Sequence, residues 1–184
     1  MRSVRNSIGV YLLNRYSLIN ERMPGIFDHI YVHIVFSIKD SASTIRREWR
    51  QPMQRTFAAI LTIYGHQLVA SAVQHDHVHI LIRHHPRMLL STVVSKLKKE
   101  SVQWLKQIDP ELSSQFKWQK GYAVFSVSRN RIGSVRKYLA QQDQYHIFHT
   151  IKTEMERLLE VYQEDPRSAY ELERVPSKVA EPQG

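Results

Sequence analysis

The chain has 184 residues, no cysteine, 42% hydrophobic residues and a formal net charge of +9. That length suits one domain with tails, and the lack of thiols excludes disulfides, thiolate zinc sites and iron–sulfur clusters, so a metal would sit on nitrogen and oxygen donors. The basic excess points to an anionic partner. No apolar run approaches the roughly 20 residues of a membrane-spanning helix, so no membrane partner is expected and a reducing cytoplasm is the expected compartment.

Residues 1–22 read as an N-terminal extension, disordered or not native. Their apolar patch, Val10 to Leu13, is interrupted by Asn14 and Arg15, unlike a secretory signal, and a second methionine, Met23, stands just before Pro24-Gly25. A domain over 23–163 follows. In residues 28–39, Ile30, Val32, Ile34, Phe36 and Ile38 alternate with a set that includes His29, Tyr31, His33, Ser37 and Lys39, the period of a half-buried strand. A helix is predicted from about 45 to 64, with Trp49, Met53, Phe57, Ile60 and Leu61 at helical spacing and Gly65 ending it.

Two short strands, 68–73 and 77–83, flank a turn at Gln74-His75-Asp76. The second aims Val78, Ile80 and Ile82 at the core and puts His77, His79, Leu81 and Arg83 on the opposite face. A helix over 89–108 follows, its stripe Leu90, Val93, Val94, Leu97, Trp104 and Leu105, and Asp109-Pro110 stops it. Residues 116–128 are strand-like with a break at Gly121, a third helix spans about 131–145, and an amphipathic helix spans about 151–162. From 164 to 184, prolines and charges without periodicity predict a disordered tail. The order predicts an α+β, ferredoxin-like antiparallel sheet with helices on one face, the other face free for chemistry, and C-terminal helices carrying a tyrosine.

Residues two apart on a strand point the same way, so His77 and His79 can present two imidazoles to one cation, although alternating histidines are also ordinary surface or packed residues. Tyr138 and Gln142, four apart, would lie one turn apart on one helix face. The glutamine amide oxygen is a hard donor suited to magnesium or manganese. The bland alternative is a tyrosine packed against the sheet beside a solvent-facing glutamine. If the two pairs meet, they form a divalent-metal site, Mg2+ or Mn2+, beside a nucleophile. A phenol leaves more readily than an alkoxide, so a phosphotyrosine keeps the energy of the cut strand and rejoining needs no nucleotide.

Between Lys96 and Lys137, ten lysines and arginines stand against three acidic residues, a net +7, and Trp104, Phe116, Trp118, Tyr122 and Phe125 are interleaved with them. Cations for phosphates and rings for bases suit a single strand of nucleic acid. The candidate DNA contacts are Lys98, Lys99, Trp118, Arg131, Arg136 and Lys137.

Several blocks together resemble a known family. They are Tyr31-Val-His-Ile-Val-Phe, Asp76-His-Val-His-Ile-Leu-Ile, Leu97-Lys-Lys-Glu-Ser101, Trp118-Gln-Lys-Gly-Tyr-Ala-Val-Phe-Ser126, and Tyr138-Leu-Ala-Gln-Gln142 followed by His146 and Glu154. From about Met23 to Tyr162 the chain is similar to the HUH single-tyrosine transposases of small insertion sequences and their REP-associated tyrosine transposase relatives. The resemblance implies that His77 and His79 are paired metal ligands and Gln142 the third. It implies that Tyr138 becomes joined to a DNA 5′ phosphate, that the partner is single-stranded DNA with hairpin ends, and that the protein is a homodimer whose active site is completed in cis or in trans. Where the family often has two adjacent histidines, this chain has Tyr145-His146.

Other readings start from the same residues. His75-Asp-His77-Val-His79-Ile-Leu81 approximates the motif of histidine-triad nucleotide hydrolases, with His77 as nucleophile, but Asp76 stands where an apolar residue is needed and Tyr138 and Gln142 go unexplained. Replication initiators use two tyrosines at helical spacing. Tyr138 and Tyr145 are seven apart, yet Gln142 between them fits the single-tyrosine pattern better. A domesticated, non-mobile DNA-binding relative is the remaining alternative, and the complete set of four residues favours catalysis over it.

Overall fold

The computed structural model describes residues 28–39 and 44–161. The readings of residues 1–22 and of the 164–184 tail lie outside the described residues. The elements are β1 (Ile30–Ser37), α1 (Arg47–Ile63), β2 (Gln67–Val73), β3 (His77–His84), α2 (Leu90–Ile108), α3 (Pro110–Gln115), β4 (Ala123–Val127), a 3-10 turn (Arg129–Arg131), α4 (Ile132–Ala140), α5 (Gln142–Tyr145) and α6 (Ile151–Val161). The four strands form an antiparallel sheet in the order β2-β3-β1-β4, the ferredoxin-like arrangement. β1 and β3, the two histidine-bearing strands, are therefore central neighbours. Val35 lies opposite His79 and His33 opposite Leu81.

One face follows the alternation. Val32, Ile34, Phe36, Val78, Ile80 and Ile82 pack with Met53, Phe57, Ile60 and Leu61 of α1 and Val93, Val94, Leu97 and Leu105 of α2. Gly65 adopts φ 78 after α1, and His66 N–H donates to Leu61 O at 2.9 Å, closing the helix with the left-handed residue that glycine tolerates.

The other face is not free, which corrects the expectation drawn from the alternation. Val35 and Phe125 pack with Met155 and Leu159 of α6, and Ala72, Leu81 and Val127 pack with Leu139 of α4. That face carries enough apolar side chains between its histidines to need covering, and burying a Val or Leu fully is worth about 1.5–3 kcal/mol. The C-terminal helices supply the cover, so β1 and β3 are buried on both sides and their histidines lie inside the protein.

Two further differences concern local structure. The predicted third helix is broken: α4 stops at Ala140, Gln141 takes φ −101 and ψ 8, and a fresh turn begins at Gln142. Tyr138 and Gln142 thus belong to separate helical segments rather than one straight face. Pro110, read as a stop, also opens α3, in keeping with the preference of proline for a first helical position.

The turn between β2 and β3 is tied down on two sides. Ile38 N–H donates to Asp76 O at 2.8 Å and Ile45 N–H to His75 O at 2.7 Å, while Gln74 N–H donates to His77 O at 2.8 Å. This fixes Asp76 and the start of β3, where the site begins.

Candidate metal centre and tyrosine

His77 and His79 come from the buried face of β3, His146 from the end of α5, and Glu154 from the first turn of α6. One potential ligand atom from each lies within 4.8 Å of all the others. Glu154 Oε2 is the hub, 3.0 Å from His146 Nε2, 3.3 Å from His79 Nε2 and 3.7 Å from His77 Nε2.

The far nitrogen of each ring is engaged. His77 Nδ1 is 2.6 Å from Asp76 Oδ1, His79 Nδ1 is 3.0 Å from His33 Nε2, and His146 Nδ1 is 2.8 Å from His149 O. A carbonyl and a carboxylate only accept, so His146 and His77 carry their protons on Nδ1 and turn lone pairs inward. His79 does the same when its Nδ1–H donates to His33. The three Nε2 atoms and Glu154 Oε2 are buried without a hydrogen-bond partner. Lone pairs directed at a carboxylate repel unless a cation lies between them, and a buried histidine whose other nitrogen is hydrogen-bonded is the usual setting of a metal ligand. The donor set therefore fits a divalent ion.

Electrostatics agree. Burial pushes the Glu154 carboxyl up to about 7, with His77 pulling the other way and Asp76 adding to the rise. Burial and the neighbouring His77 bring His146 down to about 4, and burial first, then His77 and His146, hold His79 well below the ordinary imidazole value. Asp76 is pushed up by burial but pulled further down by its hydrogen bond to His77 and the surrounding histidines, so it stays ionised as the partner of that ring.

Gln142 is buried beside this cluster, its Nε2 donating to Glu154 Oε1 at 2.7 Å while its own Oε1 has no hydrogen-bond partner. Tyr138 is half-buried, and its ring stands edge-on to His79 with centroids 6.0 Å apart, to His33 at 6.4 Å and to Tyr145 at 5.9 Å. The paired histidines, Gln142 and Tyr138 thus come together within one chain.

The candidate DNA contacts divide. Lys99, Arg131, Arg136 and Lys137 are exposed. Lys98 is not a free cation: its Nζ donates to the carbonyls of Gln119 at 2.7 Å, Lys120 at 3.2 Å and Gly121 at 2.7 Å, and lies over the Phe36 and Tyr122 rings. Trp118 is a core residue rather than a stacking platform, wedged edge-on to Phe36 and Phe116 with its Nε1–H donated to Ser101. Both were placed on the surface because helix and strand patterns are blunt about residues at the rim of an apolar stripe.

The sequence reading gave no role to Glu154, His146, His33 or Asp76. The available signal was a carboxylate among the apolar residues of α6, Ile151, Met155 and Leu159, where an unpaired charge is costly.

Comparison with known proteins matches this architecture. A crystal structure of an inferred transposase from Deinococcus radiodurans R1 superposes with a TM-score of 0.53 at 23% identity, over 66% of this chain and 97% of that one. The ISDra2 transposase TnpA of Deinococcus radiodurans is 23% identical over 114 residues, 60% of this chain and 81% of its own length. The superposition shows a shared fold. The family profile described as Transposase IS200 like matches residues 26–142, and the chain belongs to that family. Family membership brings DNA cleavage and strand transfer as the general activity, and sets aside the nucleotide-hydrolase reading. Among the described residues no helix is long and apolar enough to cross a membrane.

Proposed function

We propose that this transposase cleaves and rejoins single-stranded DNA through a 5′-phosphotyrosine on Tyr138, beside a divalent ion, magnesium or manganese, held by His77 and His79 with Gln142 as a further ligand. The observation that carries this reading is the position of the Tyr138 ring against His79, the imidazole whose Nε2 opens into the metal cluster. The unpartnered Oε1 of Gln142 supports it as a donor.

In the reaction the phenol oxygen of Tyr138 bonds to the scissile phosphorus as the bond to the 3′ oxygen breaks. The phenol loses its proton and the departing 3′ oxygen gains one. A divalent ion held by His77, His79 and Gln142 would polarise the phosphate and offset the charge on its oxygens. A second 3′ hydroxyl then attacks the phosphotyrosine and restores the phenol, so no nucleotide is consumed. Asp76 and His33 hold the imidazoles in their ligating tautomers, and the packed C-terminal helices keep bulk water from the cluster. The substrate is single-stranded DNA with hairpin ends, taken by a homodimer.

The test is a labelled single-stranded oligonucleotide from the flanks of the gene, incubated with manganese and run on a denaturing gel. The native protein forms a covalent adduct and Tyr138→Phe binds the hairpin but forms none. An undiminished adduct with Tyr138→Phe would move the nucleophile elsewhere.

A further inference from the structure

We infer that His146 and Glu154 are themselves metal ligands, so that three imidazoles and a carboxylate join the Gln142 amide oxygen in a site built for a first-row transition ion in preference to magnesium. The inference rests on the metal reading above and goes beyond it, because both residues lie past the 26–142 stretch that the family profile matches.

Geometry carries it. Ligands held about 2.1 Å from one ion stand roughly 3.0 Å apart as cis neighbours in an octahedron and roughly 3.4 Å apart in a tetrahedron, so the edge between two ligands of one ion falls near that range. The separations from Glu154 Oε2 to the three Nε2 atoms, 3.0, 3.3 and 3.7 Å, bracket that edge. All four atoms are buried without hydrogen-bond partners, and two of the three rings have their outer nitrogen engaged by an acceptor, which in a neutral ring leaves the inner one as a lone pair. Glu154 keeps its second oxygen occupied by the Gln142 amide, which aims Oε2 at the imidazoles.

Chemistry sets the ion. Magnesium prefers six oxygens and retains several waters, whereas imidazole nitrogen binds the first-row divalent ions with affinity that rises from manganese through iron and cobalt to nickel. Three imidazole nitrogens in a buried pocket suit the second group. A reacting phosphate oxygen needs an open coordination position, so an ion that accepts five or six ligands serves catalysis, and strictly four-coordinate zinc would close the site. The same contacts make the ion a clasp between α6 and β3.

Cobalt(II) tests this without reference to activity, since its visible d–d absorption reports nitrogen ligation. Titrated into the full chain, it should bind with one equivalent, develop visible bands, raise the melting temperature, and resist displacement by millimolar magnesium. Glu154→Gln preserves the acceptor for Gln142, so it should leave the metal-free melting temperature unchanged or higher. That variant and His146→Ala should each alter the bands and weaken cobalt binding by about 100-fold or more, beyond the 10–100-fold typical of residues that only orient ligands. Parental spectra and affinity in both variants, with binding lost in His77→Ala, would overturn the inference and leave the histidine-pair reading standing. Unchanged binding in His77→Ala and His79→Ala as well would remove both, and ready displacement by magnesium would overturn the proposed ion preference.

Discussion

His33 Nε2 lies 3.0 Å from His79 Nδ1, and the two rings stack with centroids 5.1 Å apart across neighbouring strands. This contact joins the first strand to the cluster of His77, His79, His146 and Glu154. It holds the tilt of His79, and when His79 Nδ1–H is the donor the His79 Nε2 is left bare toward Glu154.

His33→Phe should therefore keep the ring volume and lower metal affinity by about 10–100-fold, the usual cost of losing the group behind a ligand. A metal titration by calorimetry measures it. Unaltered affinity would mean that packing alone orients His79.

Lys98 predicts a stability effect rather than a DNA effect. Its ammonium bridges three consecutive carbonyls that lead into β4, and although burial lowers it to about 8, those carbonyls favour the charged form. Lys98→Met leaves them without their donor and should cost about 1–3 kcal/mol in urea unfolding. The salt dependence of DNA binding should stay as in the parent.

Acid should unfold the metal-free protein ahead of ordinary carboxylate titration. Burial holds His66 and His146 at about 4 and pushes His33 and His79 well down, so each is neutral in the fold and charges readily once unfolded. Between the ordinary imidazole value of 6.5 and about 4 the unfolded chain binds more protons, and stability falls as pH falls through that window. Glu154 acts oppositely: raised to about 7, it takes up a proton in the fold first and favours the native state from about 7 down toward 4.5. With at least four histidines against one carboxyl, the net trend is loss, which melting curves from pH 7 to 4 would record. A flat profile would contradict the burial of these rings.

Arg131, Arg136 and Lys137 are exposed on the turn and helix that deliver Tyr138. If each meets a phosphate, neutralising all three should reduce the slope of log affinity against log salt by roughly 2, at about 0.7 per contact on a single strand. An unchanged slope would place the strand elsewhere.

Much of the fold was legible from the chain. Strands such as His77–His84 declare themselves by period-two apolar residues, and α1 ends at the glycine the pattern marked. The paired histidines, Gln142 and Tyr138 were legible as a set, and the structure brings them together. The break at Gln141 was not, because Gln141 has neither proline nor glycine chemistry and a buried glutamine held by Glu154 is a tertiary preference. Nor was the double burial of the sheet, since an alternating strand says which residues share a face but not what later helices will cover it. His146 and Glu154 stood in recognisable blocks, yet their convergence on His77 depends on how α6 docks, a relation across about seventy residues that no local spacing encodes.

The pocket is assembled from both ends of the domain: β3 contributes two of the proposed donors, the end of α5 a third, and the last described helix, α6, the fourth. A ribosome works from the front, so a nascent chain presents its tyrosine before its fourth donor has been synthesised. Chains clipped ahead of α6 would keep the tyrosine and the three imidazoles but forfeit the carboxylate of Glu154. On the proposed ligand set, full occupancy by an ion would thus require synthesis to have passed Glu154.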